Sequence, residues 1–403
     1  MDVKTAFLSG DLEEEIYMKQ PEGFVMHGQE HKVCKLLLGH YMGLIKHLCN
    51  GIKNLMRWYY PMDFFLNHSD KCVYSKFDNS QNGVIISLYL NDMLIFGTNL
   101  ECINQTKEFL SSMFSMKDMG EAKIILGIRI KRVEGGLALT QSHYIENVLK
   151  KFNYFDCHPV STPYDSSTHI YPNTGKRKSQ LEYSQVICSL MYVITSTRPD
   201  IAFAVDKISR YTSNPSMQHW QAIYRVLRYL QGTMNFGLVY LDLHSVIEGF
   251  SDASWISNEE DRSSTIGWVF LLGGGVILWV SKKQTCITSS TMESEFVALA
   301  AGSKEVEWLK NMIYEISLSE RPISPISIRC NSVATLAKAY RHVYNGKSRH
   351  LGVRHSDVRE LITHWVISVD FVRSQQNLAD HLMKGLARDL VFKSVKGIRL
   401  KLI

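Results

Sequence analysis

The sequence predicts a chain of mixed α+β and α/β character in three zones: an α+β part over 1–160, a helical connector over 161–245, and then a mixed five-stranded sheet covered by helices. Three observations predict it. Apolar runs at 84–90 and 93–97 flank the polar pair Asn91-Asp92, which is the pattern of a β-hairpin. Trp220, Ile223, Leu227 and Leu230 recur at helical spacing within 219–230. From 246 onward the elements read β-β-β-α-β-α-β-α. At 403 residues, with 45% apolar and 11% aromatic content, the chain can build two or three cores.

Taken in order, the first zone opens on an apolar run at Val3 and Ala6-Phe7-Leu8, followed by the hairpin. A helix is expected over 100–114, then a strand over 124–130 and a second over 137–139 across Glu134-Gly135-Gly136. The connector carries eight Lys or Arg against five Asp or Glu, and its clearest helix is 219–230. The third zone begins with strands at 246–255, 267–272 and 276–280. A long amphipathic helix follows, burying Phe296, Leu299, Val306, Leu309, Ile313 and Ile316. Then come a strand at 326–330, more helix, a strand at 366–372 and a last helix from Ala379. Domain limits of 1–160, 161–245 and 246–388 with a tail over 389–403 fit this order.

Composition narrows the function. The net charge of +6 permits a polyanionic partner without requiring one. Eight cysteines include no Cys-x-x-Cys pair, so neither a zinc knuckle nor a disulfide framework is indicated. The start has no apolar core of signal-peptide length, and the apolar stretch 267–280 is too short to span a bilayer. The expectation is a soluble intracellular chain with no membrane contact; its compartment and oligomeric state stay open. Gly273-Gly274-Gly275 lacks a following Gly-Lys-Ser/Thr and reads as a turn between strands. No His-Glu-x-x-His or Gly-x-Ser-x-Gly occurs.

Polar residues at the tip of an apolar hairpin are candidates for chemistry, because the strands hold the tip and the core below excludes water. By itself Asn91-Asp92 also suits a plain turn. Its context adds more. Tyr89-Leu90-Asn91-Asp92 resembles the Tyr-x-Asp-Asp hairpin of reverse transcriptases, and residues 1–10, Met1-Asp2-Val3-Lys4-Thr5-Ala6-Phe7-Leu8-Ser9-Gly10, resemble the first aspartate motif of the copia-type retrotransposon enzymes. The resemblance continues through Gln20-Pro21-Glu22-Gly23-Phe24, Met116-Lys117-Asp118-Met119-Gly120, Thr197-Arg198-Pro199-Asp200-Ile201-Ala202 and His219-Trp220-Gln221-Ala222. It implies a reverse transcriptase palm, a thumb and connector, and a ribonuclease H domain cut from a longer polyprotein.

The implied polymerase acids are Asp2, position 91 and Asp92. Paired Mg2+ ions about 3.5–4 Å apart need negatively charged oxygen ligands. Here position 91 is Asn91, which keeps one oxygen and loses a full charge. The family's fingers lie upstream of Asp2, so the expectation is a chain without them that does not polymerise. The implied ribonuclease H acids are Asp252 on the first strand, Glu295 opening the long helix and Asp380 opening the last helix. In place of the fourth acid, at the end of a strand, stands Asn331. Asp2, Asp92, Asp252, Glu295 and Asp380 are therefore the expected metal ligands. His350 and His355 match a histidine-bearing segment of the family, and His355 is the candidate for proton transfer or substrate contact, although basic surface residues on a helix would fit them as well. The implied partners are an RNA–DNA hybrid or a primer-template. Two rival readings accompany this impaired copy: residual ribonuclease H activity, or a non-catalytic nucleic-acid binder that uses the basic connector with Trp220 or Trp255.

Between the palm motifs, the family's Leu-Tyr-Gly-Leu-Lys-Gln-Ala-Pro-Lys-Gln-Trp-His segment is replaced by a sequence that includes Tyr41-Met42, Lys46-His47-Leu48, Asn50-Gly51 and Lys53-Asn54. Reading the family segment one nucleotide out of register in A-rich codons yields those groups in that order. Residues 40–62 are therefore expected to translate a frameshifted tract, with the frame restored before Ser69. Sequencing the coding nucleotides against an intact element checks this: a compensating one-base insertion and deletion should bracket the tract, and their absence ends the idea.

Overall fold

The computed structural model describes residues 1–3, 17–19, 33–35, 64–89, 92–113, 115–241, 246–258, 262–316, 322–344 and 349–403. Asn91 and the tract 40–62 lie outside the described residues. The chain divides into two compact units, 1–122 with 311–321, and 123–310 with 322–403.

In the first unit the described strands are β1 (Asp2–Val3), β2 (Tyr17–Lys19), β3 (Val33–Lys35), β4 (Phe65–Leu66), β5 (Val73–Phe77), β6 (Gly83–Tyr89), β7 (Asp92–Gly97) and β8 (Met116–Lys117). Helix α1 (Leu100–Met113) follows β7. An antiparallel sheet runs in the order β4-β5-β6-β7-β1-β8, and β2 pairs with β3. Along β6, Val84, Ile86 and Leu88 alternate into the core with Tyr74, Met93 and Leu110, as period-2 patterning requires. Asn99 starts α1, its Oδ1 accepting from the Cys102 N–H at 2.8 Å.

Among the described residues the second unit has two sheets. Strands β9 (Ile124–Ile125), β10 (Ile128–Val133), β11 (Gly136–Thr140), β12 (Phe236–Leu241) and β18 (Leu400–Leu402) form one, in the order β18-β12-β11-β10-β9. The single strand expected over 124–130 is broken because Leu126 and Gly127 take positive φ values of 49° and 69° and turn the chain back. Helix α2 (Ser142–Lys151) precedes the stretch 161–245 expected as a connector, within which lie α3 (Gln180–Ser196), α4 (Ala202–Ser209) and α5 (Met217–Gly232). In α5, Ser216 and His219 form a reciprocal cap, and Ile223, Leu227 and Leu230 face the core.

Next come β13 (Glu248–Asn258), β14 (Ser263–Leu272), β15 (Gly275–Lys283), α6 (Thr291–Tyr314), β16 (Ile326–Cys330), α7 (Val333–Tyr340), α8 (Arg349–Thr363), β17 (Ile367–Phe371) and α9 (Arg388–Gly397). The expected mixed five-stranded sheet is present, ordered β15-β14-β13-β16-β17. Its β13-β16-β17 pairs are parallel and its β13-β14-β15 pairs antiparallel. On α6, Phe296, Leu299, Val306 and Leu309 are buried, whereas Ile313 is half-buried and Ile316 lies past the helix end. One reading needs correction. The helix expected from Ala379 is only a 3-10 turn, Asp380–Leu382, and α9 begins at Arg388. Within residues 389–403, expected as a tail, β18 pairs with β12. Among the described residues no helix is long and apolar enough to cross a membrane.

One core joins the connector to the five-stranded sheet: Leu190, Val205, Ile223 and Leu227 share it with Phe250, Val269, Val276 and Leu382. At its edge Arg198 is wholly buried. It donates through Nε and Nη2 to the two carboxylate oxygens of Asp200 at 2.9 and 2.7 Å, and through Nη1 to the Thr233 carbonyl at 2.9 Å. Tyr229 donates its hydroxyl to Asp200 at 2.8 Å. The fork geometry satisfies a charge that would otherwise be prohibitive to bury. Removing one partner strands the other, so Arg198→Ala should cost about 3–5 kcal/mol of unfolding free energy. Urea denaturation of the chain measures it, and a loss below about 1 kcal/mol would contradict this role.

Candidate functional site

In the first unit, register decides which acids meet. Tyr89 pairs with Asp92 across β6 and β7, so Asp92, expected at the hairpin tip, is the first residue of strand β7. On the far side of β7, Met1 and Met93 exchange two backbone hydrogen bonds, at 2.8 and 2.9 Å. The next pair along, Asp2 and Asp92, is therefore a directly opposed, non-hydrogen-bonded pair whose Cα atoms sit about 4.5 Å apart. The backbone thus sets these two predicted acids side by side, and the Asp92 side chain is exposed.

In the second unit the sites of convergence are Asp252 on β13, Glu295 in the first turns of α6, Asn331 just past β16 and Asp380 in its 3-10 turn. Asp252 pairs with Gly267 on β14. A Cβ at Gly267 would stand 2.6 Å from Leu382 Cβ and 3.1 Å from the Ala379 carbonyl, so the bare glycine lets the Asp380 turn press against the sheet. Asn377 anchors that turn: its Nδ2 donates to the Ser251 carbonyl at 2.9 Å, and its Oδ1 accepts from the Ala379 N–H at 3.1 Å. The parallel register of β13 with β16 pairs Phe250 with Arg329, which brings Asn331 beside Asp252. At the start of α6, Ser290 Oγ accepts from the Glu293 N–H, and the Glu293 carboxylate accepts from the Ser289 N–H and hydroxyl. Glu295 is left to serve the pocket.

Asp252 and Glu295 are buried and hydrogen-bonded to each other. The Ala253 N–H also donates to Asp252 Oδ1 at 2.8 Å. Asn331 Nδ2 lies 3.5 Å from Asp252 Oδ2 and 3.3 Å from Ser374 Oγ. Asp380 Oδ1 pairs with Lys384 Nζ at 2.6 Å. Two buried oxygens, Glu295 Oε2 and Asn331 Oδ1, have no hydrogen-bond partner. Oxygen-only donors with orphaned lone pairs suit a hard divalent cation, although among the described residues no three His, Cys, Asp or Glu side chains form a ready ligand group. The predicted His355 is placed differently. It is buried on α8, its Nε2 is 3.1 Å from the Lys338 carbonyl, and its ring lies against Phe296 and Tyr344, so its described partners include none of the four. Trp220 packs against Tyr183 and Tyr224, while Trp255 is 40% exposed with Nε1 donating to the Thr288 carbonyl. Sequence reading overlooked Gly267, Asn377 and Lys384 as positioning groups; the last two stood in view, flanking Asp380 at three residues before and four after.

Burial pushes the Asp252 carboxyl up to about 6, with Asp380 adding to the shift. Burial and then the charge of Asp252 push Glu295 further, to about 9. The folded chain thus holds protons that the unfolded chain has already released. Stability from these groups is full below the ordinary carboxylate range and is lost as pH rises toward 9. In chelator, the thermal midpoint should fall from pH 5 to pH 9, and Glu295→Gln should flatten that slope. A variant with the same slope as the parent chain would refute the assignment.

A family profile described as Reverse transcriptase (RNA-dependent DNA polymerase) matches residues 1–166. The chain is 38% identical over 406 residues to the Retrovirus-related Pol polyprotein from transposon TNT 1-94 of Nicotiana tabacum, covering 96% of this chain and 30% of that protein. It is 33% identical over 402 residues to the corresponding polyprotein from transposon RE1 of Arabidopsis thaliana, covering 96% and 26%. The chain therefore spans less than a third of the length of these relatives. In fold it is similar to the foamy viral protease-reverse transcriptase solved in complex with an RNA/DNA hybrid, with a TM-score of 0.51 at 12% identity, covering 93% of this chain and 43% of that one. With both units covered by these relatives, the chain belongs to the family of copia-type retrotransposon Pol polyproteins.

Proposed function

We propose that this chain is a palm, connector and ribonuclease H segment of a Pol polyprotein, acting on an RNA–DNA hybrid, in which polymerisation is lost and hybrid cleavage is strongly reduced. The observation that carries the reading is the carboxamide of Asn331 set beside the carboxyl of Asp252. Asp252, Glu295 and Asp380 are the residues that would hold Mg2+, with Asn331 Oδ1 as a neutral fourth oxygen. Bound Mg2+ would supply Lewis acidity to activate water and to stabilise the leaving oxygen. Glu295 must give up its proton to serve as a ligand. Asp252 is fixed by the strand and by the Ala253 N–H, so its carboxylate needs no reorganisation. Asn331 brings one fewer negative charge than the acid it replaces, which weakens the hold on paired dications. In the first unit, Asn91 next to Asp92 has the same effect on the polymerase acids.

A second reading, hybrid binding without cleavage, is favoured by the partly exposed ring of Trp255 on β13, the strand that carries Asp252. Its affinity would fall steeply with salt. The two are separated by incubating the full chain with a labelled RNA–DNA hybrid in Mg2+ or Mn2+. Asn331→Asp should raise cleavage by about a hundredfold, since each 1.4 kcal/mol or so of restored transition-state stabilisation is tenfold in rate. Asp252→Asn should abolish it. Equal rates for the parent chain and Asn331→Asp would overturn the proposal.

A further inference from the structure

Of the four groups, Asp380 is the one ion-paired to a lysine. Lys384 Nζ approaches its Oδ1 to 2.6 Å, with the Asp380 side chain 17% exposed and that of Lys384 48% exposed. The two ends of this pair differ in freedom. Asp380 belongs to a turn pinned by the Asn377 bonds and by the fully buried Leu382 packed on Gly267, so its carboxylate cannot retreat. Lys384 follows the turn on a flexible four-carbon stem. It also borders a groove of about 260 Å³ lined by Ser254, Ser257, Met383 and Gly385, which has room for the ammonium to swing away.

We infer that Lys384 is the resident counter-cation of the acid cluster, and that a divalent ion enters only by displacing it from Asp380. This rests on the reading that the cluster takes a divalent cation. Asn331 turns its neutral amide nitrogen to Asp252, and Asp380 is held by Lys384, which brings the full positive charge that answers Asp380 from within the chain. A metal must break the Asp380–Lys384 pair before three carboxylates can act together. Lys384 thereby sets cation affinity, acting through Asp380 as a positioning residue.

Mn2+ binding to the full chain, followed by electron paramagnetic resonance of the free ion, tests this without reference to turnover. Lys384→Gln should bind Mn2+ about two- to fivefold more tightly than the parent chain, the range expected for a partly exposed ion pair. Its melting temperature in chelator should drop. Lys384→Arg, which keeps the charge, should bind as the parent does. Lys304→Gln, which removes an ion pair to Asp357 and the same net charge, should leave affinity unchanged. Unchanged or weaker binding by Lys384→Gln, or an equal gain with Lys304→Gln, would overturn the role of Lys384 while Asp252→Asn still abolished binding. Mn2+ binding that Asp252→Asn leaves intact, or no uptake by any of these chains, would overturn the metal-site reading and this inference together.

Discussion

Carboxyl groups that share a buried pocket repel one another and lose hydration, and a protein that gathers them must answer with protons, donors or cations. The pocket around Asp252 uses all the means its own chain has. Burial and the charge of Asp252 push the Glu295 carboxyl up toward its protonated form, a backbone N–H faces Asp252, a carboxamide stands where a further acid would have added charge, and an ammonium sits on Asp380. The surrounding architecture is what makes this crowding possible. Strand pairing aligns Asp252 with Asn331, a glycine admits the turn that carries Asp380, and the capped start of α6 presents Glu295.

The connector takes part in the same framework. Its helices share a continuous apolar core with the five-stranded sheet, and Trp279 on β15 donates its Nε1–H to the Ile194 carbonyl at the end of α3, at 2.8 Å. The wholly buried Arg198 and the buried Asp200 then fix the short link between α3 and α4, where an error of orientation would misplace both helices. Charge is thus used in two different ways in one unit. At Arg198 it is fully paired and rigidly forked, whereas around Asp252 it is only partly compensated, leaving two oxygens without partners.

Much of this was legible from local pattern. Alternation along β6, the tight apolar strand β16 and the helical spacing in α5 each depend on one face meeting a core, and that periodicity is written in the residues themselves. Motif context likewise picked out Asp252, Glu295, Asn331 and Asp380, which the fold brings to one place. The misreadings occurred where a single residue's backbone geometry or a distant contact overrides the run around it. Leu126-Gly127 breaks an apolar stretch that reads as continuous strand, and Asp92, half of the polar pair read as a tip, already belongs to a strand paired with β6. The turn at Asp380 is held by Asn377 and Leu382 reaching β13 and β14, contacts more than a hundred residues apart, so helical propensity after Ala379 was a poor guide. His355 shows the limit of motif transfer by type alone, because its partners are a carbonyl and two rings.

The pairing of β18 with β12 has a consequence for synthesis. Phe236 faces Leu402 across that edge, so a sheet begun near residue 124 waits through nearly the whole five-stranded sheet before its outer strand exists. A nascent chain emerging vectorially from the ribosome carries β12 with an open flank until β18 has cleared the exit tunnel. During that interval the hydrogen-bonding groups of β12 are exposed to any other extended segment nearby.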